Sequence, residues 1–164
     1  MGSSEVTRIL DQFEREHAGD PWHGSPLQQI LEGVDHQQAA HAPLPGAHTI
    51  WELVLHMISW KNEVRRRIEG APAGEPLEGD WPKAPNATAE AWRDTLAALE
   101  ASHRSLVSSV SSLPEDKLFQ PTNDPRDRET GAGVDHYVLL HGIVQHDVYH
   151  AGQIALLKRA AGLS

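Results

Sequence analysis

His141-Gly142-Ile143-Val144-Gln145-His146-Asp147-Val148-Tyr149-His150-Ala151-Gly152-Gln153-Ile154 is the stretch on which the fold turns. Together with Leu139 and Leu157, its residues Ile143 and Ile154 recur at helical spacing, which predicts a helix over 133–161 that stops at Gly162. His146 and His150 are one turn apart, about 40° around the axis, and so share a face. That face is also the apolar stripe. Two imidazoles turned into a core need partners, because unpaired polar burial is costly. A shared metal ion satisfies both, and so do two separate hydrogen bonds. The spacing alone leaves both readings open.

Three more segments carry apolar residues at the same period. Residues 4–17 place Val6, Leu10, Phe13 and His17 on one face. Residues 49–70 begin with Thr49-Ile50-Trp51-Glu52, a capping box, and align Ile50, Leu53, Met57, Trp60, Val64 and Ile68. Residues 88–113 start at the cap Thr88 and align Trp92, Leu96, Leu99, Leu106, Val107 and Val110. No segment alternates as a strand does. An all-α fold follows, most simply one four-helix bundle domain spanning 1–164.

Prolines break residues 19–47, where Ser25-Pro26 reads as the cap and first position of one short extra helix. The linker 70–86 reaches roughly 50 Å at about 3.3 Å per residue, enough to return along a helix and leave the second and third helices parallel. Residues 114–131 form a second long polar connection. Such connections often make lids or pocket walls. Trp51, Leu55 and Ile58 fall outside the second helix's main arc, which points to a homodimer face unless another helix of the same chain covers them.

Composition removes several classes of function. Hydrophobic residues at 39% and charged residues at 23% are those of a globular chain. A net charge of −9 argues against a nucleic-acid partner, and the run Arg65-Arg66-Arg67 reads as a solvated helix end. No apolar run approaches the roughly 20 residues of a membrane span. Residues 1–6 carry neither a signal-peptide core nor a myristoylation pattern, since Val6 stands where Ser or Thr is needed. The expectation is a cytoplasmic protein, which makes the Asn86-Ala87-Thr88 sequon idle. There is no cysteine, so disulfides, thiolate ligands and cysteine nucleophiles are excluded.

Eleven histidines remain to be placed. A third ligand for His146 and His150 must come from another helix. His56 lies at the edge of the second helix's arc, and His103 is centred on the third helix's stripe. If those helices run parallel from level starts, His56 sits about 10 Å along the bundle and His103 about 22 Å. One ion with bonds of about 2 Å cannot reach both. Height does not choose between them, and His56 leads only narrowly. His141 reads as solvent-facing; His36, His41, His48 and His136 read as surface or capping residues. His17 and His23 are candidates for the mouth of a metal pocket. Around the site, Glu52, one turn before His56, is a candidate to orient that imidazole or to cap the helix, Gln153 a candidate for substrate or water, and Tyr149 a pocket-edge candidate. Asp147 points to the flank of the stripe, where it can pair with a neighbouring helix.

The chain resembles the DinB/YfiT-like family of metal-binding four-helix bundles. His146-Asp147-Val148-Tyr149-His150-Ala151-Gly152-Gln153-Ile154 matches its signature, and the stretch from Leu44 to His56 matches the region of its first metal histidine. Trp22-His23-Gly24 looks like one branch of it. The resemblance implies an up-down-down-up bundle with a long crossover between helices two and three. It also implies a zinc or nickel site at His56, His146 and His150. Among the family's activities it implies thiol-dependent S-transfer, in which a low-molecular-weight thiol cofactor attacks a small-molecule electrophile. Three imidazoles leave an ion its full charge and an open position, so a metal-dependent hydrolase using an activated hydroxide is the alternative. A non-catalytic metal-binding or dimerising protein is a third.

Overall fold

The computed structural model describes residues 4–122 and 134–162. Residues 1–3, the start of the fourth segment at Gly133 and the second half of the 114–131 connection lie outside the described residues. Among those described there are six α-helices, one 3-10 turn and no strand, only an isolated bridge between Pro121 and Asp135. None of these helices is long and apolar enough to cross a membrane.

Local chemistry sets the ends. Helix α1, Glu5–His17, starts where Ser4 Oγ accepts from Thr7 N. Helix α2, Leu27–Leu31, begins one residue after the expected start, with Pro26 at the cap and no side-chain cap bond. Helix α3, His36–Ala40, was not anticipated. It is built on a full capping box between Asp35 and Gln38. Helix α4, Ile50–Ile68, opens on the reciprocal Thr49–Glu52 box, with bonds of 3.1 and 2.8 Å. Helix α5, Ala89–Ser111, is capped by Thr88, and α6, His136–Ala160, by Asp135. Gly162 ends α6 at φ 74°, a left-handed conformation that glycine adopts without strain.

The four long helices close a ring: α4 packs on α5 and α6, and α1 packs on the same two. Near their starts, Trp51 Nε1 of α4 donates to Thr95 Oγ1 of α5 at 3.0 Å; at their ends, Ser109 Oγ donates to Glu69 Oε1 at 2.8 Å. Two apolar clusters fill the ring. One gathers Leu27, Ile50, Leu53, Met57, Leu99 and Ile154, and the other Ile9, Phe13, Val64, Leu106, Leu140 and Ile143. At the residues between them, α1, α4, α5 and α6 contribute Glu16, Lys61, His103 and Asp147, all buried. The core is thus two apolar layers with a polar layer between.

Three expectations are corrected. Ile9 and Leu140 are buried where Leu10 and Leu139 were expected to lead; those two are only half-buried. His141 is not solvent-facing but half-buried, 4.4 Å from the Tyr137 ring. Trp51 offers no face to a second copy. It is fully buried against Trp92 with centroids 5.1 Å apart, and Leu55 and Ile58 pack partly on the same core. The short helix α3 packs on α4 and α5, giving α4 a second buried side that its own periodicity does not reveal.

Trp51→Ala should therefore cost roughly 3–5 kcal/mol in urea unfolding. Trp22→Ala, at a fully exposed ring, should change stability by less than about 0.5 kcal/mol.

Candidate metal centre

Helix α4 supplies His56, and successive turns of α6 supply His146 and His150. Their ligand atoms lie within 4.8 Å of one another. His56 and His150 are buried, while the His146 side chain keeps 25% exposure. The ring planes cross, at 40° for His56–His146, 80° for His56–His150 and 74° for His146–His150. Lone pairs lie in ring planes, so crossing planes let three of them meet at one point.

Partners at the far nitrogens point to the free nitrogen of two of the three rings. His56 Nδ1 donates to the Asp80 carbonyl at 2.6 Å, and His150 Nδ1 donates to Gln153 Oε1 at 2.6 Å. His146 Nδ1 is buried 3.5 Å from Asp147 Oδ1, and neither atom has a hydrogen-bond partner among the described residues. His56 and His150 then keep a bare Nε2, and Nε2 of His56 stands 2.9 Å from Nε2 of His146. That approach is satisfied by an Nε2–H···Nε2 hydrogen bond from His146, or by a metal ion that takes up both lone pairs. Burial, the largest influence, lowers the pKa of His56 and brings that of His150 to about 4, so both are neutral near pH 7. Neutral imidazole is the form that binds metal.

The remaining candidates fall into place around this cluster. Gln153 orients His150. Tyr149 is exposed, its ring edge-on to His150 at 5.1 Å. Glu52 closes the α4 capping box by accepting from Thr49 N and stands 3.5 Å from His48. His17 and His23 do not join the cluster: His23 is exposed, and His17 is buried on α1 with its Nε2 2.9 Å from Glu100. His103 stacks on His17, with centroids 3.7 Å apart and planes 8° from parallel. Glu16, His17 and His103 form a second compact group of potential ligands. Parallel rings aim their lone pairs side by side, and Lys61 Nζ lies 3.6 Å from Glu16, so the group suits a cation poorly.

Two contributors escaped the sequence reading. Asp80 and Trp81, from the α4–α5 linker, lie directly on His56. Their only sequence signal is an aromatic-acidic pair inside a linker of pocket-wall length. Lys61 was also missed as the buried partner of Asp147. Burial opposes both charges, but their mutual attraction prevails: Lys61 is raised and Asp147 lowered. Glu16, beside this pair, is pushed up to about 8 by burial and then by Asp147.

The DinB superfamily model matches residues 22–154. The chain belongs to the DinB superfamily. No individually curated protein matches it. Within the superfamily match lie all three clustered histidines and the linker that covers them, whereas α1, with Glu16 and His17, precedes it.

The buried groups predict a stability optimum in the metal-free protein. His103 falls from 6.5 to about 3 and His150 to about 4, so the unfolded chain binds more protons and stability drops as pH falls below 6.5. Glu16 rises from 4.5 to about 8, so its contribution is whole below 4.5 and lost as pH rises toward 8. The histidines outweigh Glu16 below 6.5, and Glu16 acts alone above it. Urea unfolding with chelator present should peak near pH 6.5 and lose roughly 1–2 kcal/mol by pH 8. In Glu16→Gln that upper loss should vanish.

Proposed function

We propose that this DinB-superfamily protein binds one divalent metal ion through His56, His146 and His150 and transfers a low-molecular-weight thiol onto a small electrophile. The observation that carries it is the gathering of a ring nitrogen from each of three histidines with crossing planes, two of the rings held by hydrogen bonds at Nδ1. All-imidazole donors suit zinc or nickel. A divalent ion held there supplies Lewis acidity, lowering the pKa of a thiol or water beside it.

The chain's own residues do the rest. Asp80 and Gln153 hold two rings in the neutral tautomer. His146 and Trp81, 25% and 38% exposed, leave an entrance for a small molecule. With no cysteine in the chain, the sulfur must arrive on a cofactor. A cytoplasmic location fits this chemistry, because small thiols are kept reduced there.

We read the chain as one domain with an up-down-down-up course. Support comes from the start-to-start and end-to-end contacts of α4 with α5, and from the antiparallel pairing of Lys61 with Asp147 and His56 with His150 between α4 and α6. The linker between α4 and α5 is then the long crossover. All three ligands come from one chain, so the site needs no second copy.

Untagged protein should retain about one equivalent of metal. With bacillithiol, mycothiol or glutathione and monochlorobimane, it should speed formation of the S–C bond with release of chloride and a proton. His150→Ala should lose at least about 100-fold of that rate, as loss of a metal function does. Equal rates in the variant contradict thiol transfer. Ester or amide cleavage without added thiol selects a hydrolase instead.

A further inference from the structure

The α4–α5 linker is long enough to wander, yet one short part of it is fastened to a single face of α4. Gly79, at φ 86°, turns the chain, with its N–H bonded to Pro76 O at 2.8 Å. From that turn, Gly79 O accepts from Ser59 Oγ at 2.6 Å, and Asp80 O accepts from His56 Nδ1 at 2.6 Å. Asp80 Oδ1 also accepts from Trp60 Nε1, at 2.7 Å. Trp81 follows directly and lies flat on His56, with centroids 3.9 Å apart and planes 8° from parallel. It also stacks on His48 at 3.6 Å and 4°. Three nearly parallel rings result, the innermost of which carries one of the three converging nitrogens.

A hydrogen bond at Nδ1 fixes one point of an imidazole but leaves the ring free to swivel about it, since the outer torsion of histidine is broad. Swivelling swings the Nε2 lone pair off target. A flat ring laid on the face removes that freedom. The contact also responds to charge: an imidazole that shares its lone pair with a cation becomes electron-poor, and the electron-rich indole face holds it more tightly. By linkage, whatever the stack gains on metal binding it returns as metal affinity.

We infer that Trp81 is a positioning residue of the metal centre, clamping His56 in the plane that aims its Nε2 at His146 and His150. The inference rests on the metal-binding reading of those histidines. Trp81 sits in the linker and is 38% exposed, outside both apolar clusters, so removing it leaves the bundle's packing in place.

The test is competition with a chromogenic chelator for zinc by the full chain and four variants, Trp81→Phe, Trp81→Leu, Trp81→Ala and Trp22→Ala. Loss of a partner that orients a ligand weakens metal binding about 10- to 100-fold. That loss is expected in Trp81→Ala and equally in Trp81→Leu, which keeps bulk without an aromatic face. Trp81→Phe should retain most of the affinity, and Trp22→Ala all of it. In metal-free protein, the His56 Nδ1 proton should exchange with water faster in the Leu and Ala variants than in wild type. Wild-type zinc binding with undiminished affinity in Trp81→Leu and Trp81→Ala overturns the clamp and leaves the metal site standing. A loss in Phe as large as in Leu also overturns it. Failure of wild type to bind zinc sinks the metal reading itself. The proton exchange then judges the clamp alone, and equal exchange in all variants overturns it.

Discussion

Nε2 of His56 and Nε2 of His146 stand 2.9 Å apart, and the arrangement of everything around them follows from that approach. His56 is committed on its far side to a backbone carbonyl, so its facing nitrogen is an acceptor, and Nε2 of His146 meets it at hydrogen-bond distance. Their proximity is imposed by the packing of α4 against α6, and it is satisfied by an Nε2–H···Nε2 hydrogen bond or by a cation that takes up both lone pairs. His150, one turn on, completes a donor set whose planes cross rather than stack. The contrast with His17 and His103 is instructive, because those rings are as close but parallel, and nothing can sit in both planes at once.

The packing that imposes this approach is itself polar at its centre. Lys61 and Asp147 are both fully buried and paired across the α4–α6 seam, with Asp147 next in sequence to His146. Breaking such a pair on one side strands a charge in the interior, which is far more damaging than losing an exposed salt bridge. The pair therefore fixes how α4 sits along α6 in a way that interchangeable apolar contacts do not, and the same registry places His56 opposite His150. Glu16 completes the layer without adding charge, since it is protonated below about pH 8. A layer of this kind between two apolar clusters trades some stability for a single relative position of the helices, and the three clustered histidines lie against that position.

Much of this was legible in the sequence, and the boundary has a physical cause. Thr49 with Glu52, Thr88 and Gly162 mark helix ends because caps are local chemistry, and the structure starts or stops helices beside each. His146 and His150 share a face because helical geometry alone dictates it. Helix α3 carries the same kind of signal in Asp35 and Gln38 and was missed among prolines. The rest depends on which helices are neighbours. Periodicity within α4 cannot show that Trp51 meets Trp92, or that Lys61 finds Asp147. Helix arithmetic likewise left His103 in contention with His56. Asp80 and Trp81 were least legible, because a linker has no period from which to read direction.

The metal reading requires three imidazoles to meet at one ion, which X-ray absorption at the zinc edge can count on untagged protein loaded with one equivalent. Three nitrogen ligands at about 2.0–2.1 Å with the multiple-scattering pattern of imidazole are expected, falling to two in His150→Ala. A shell of oxygen alone, or an imidazole count that does not change in the variant, would contradict it.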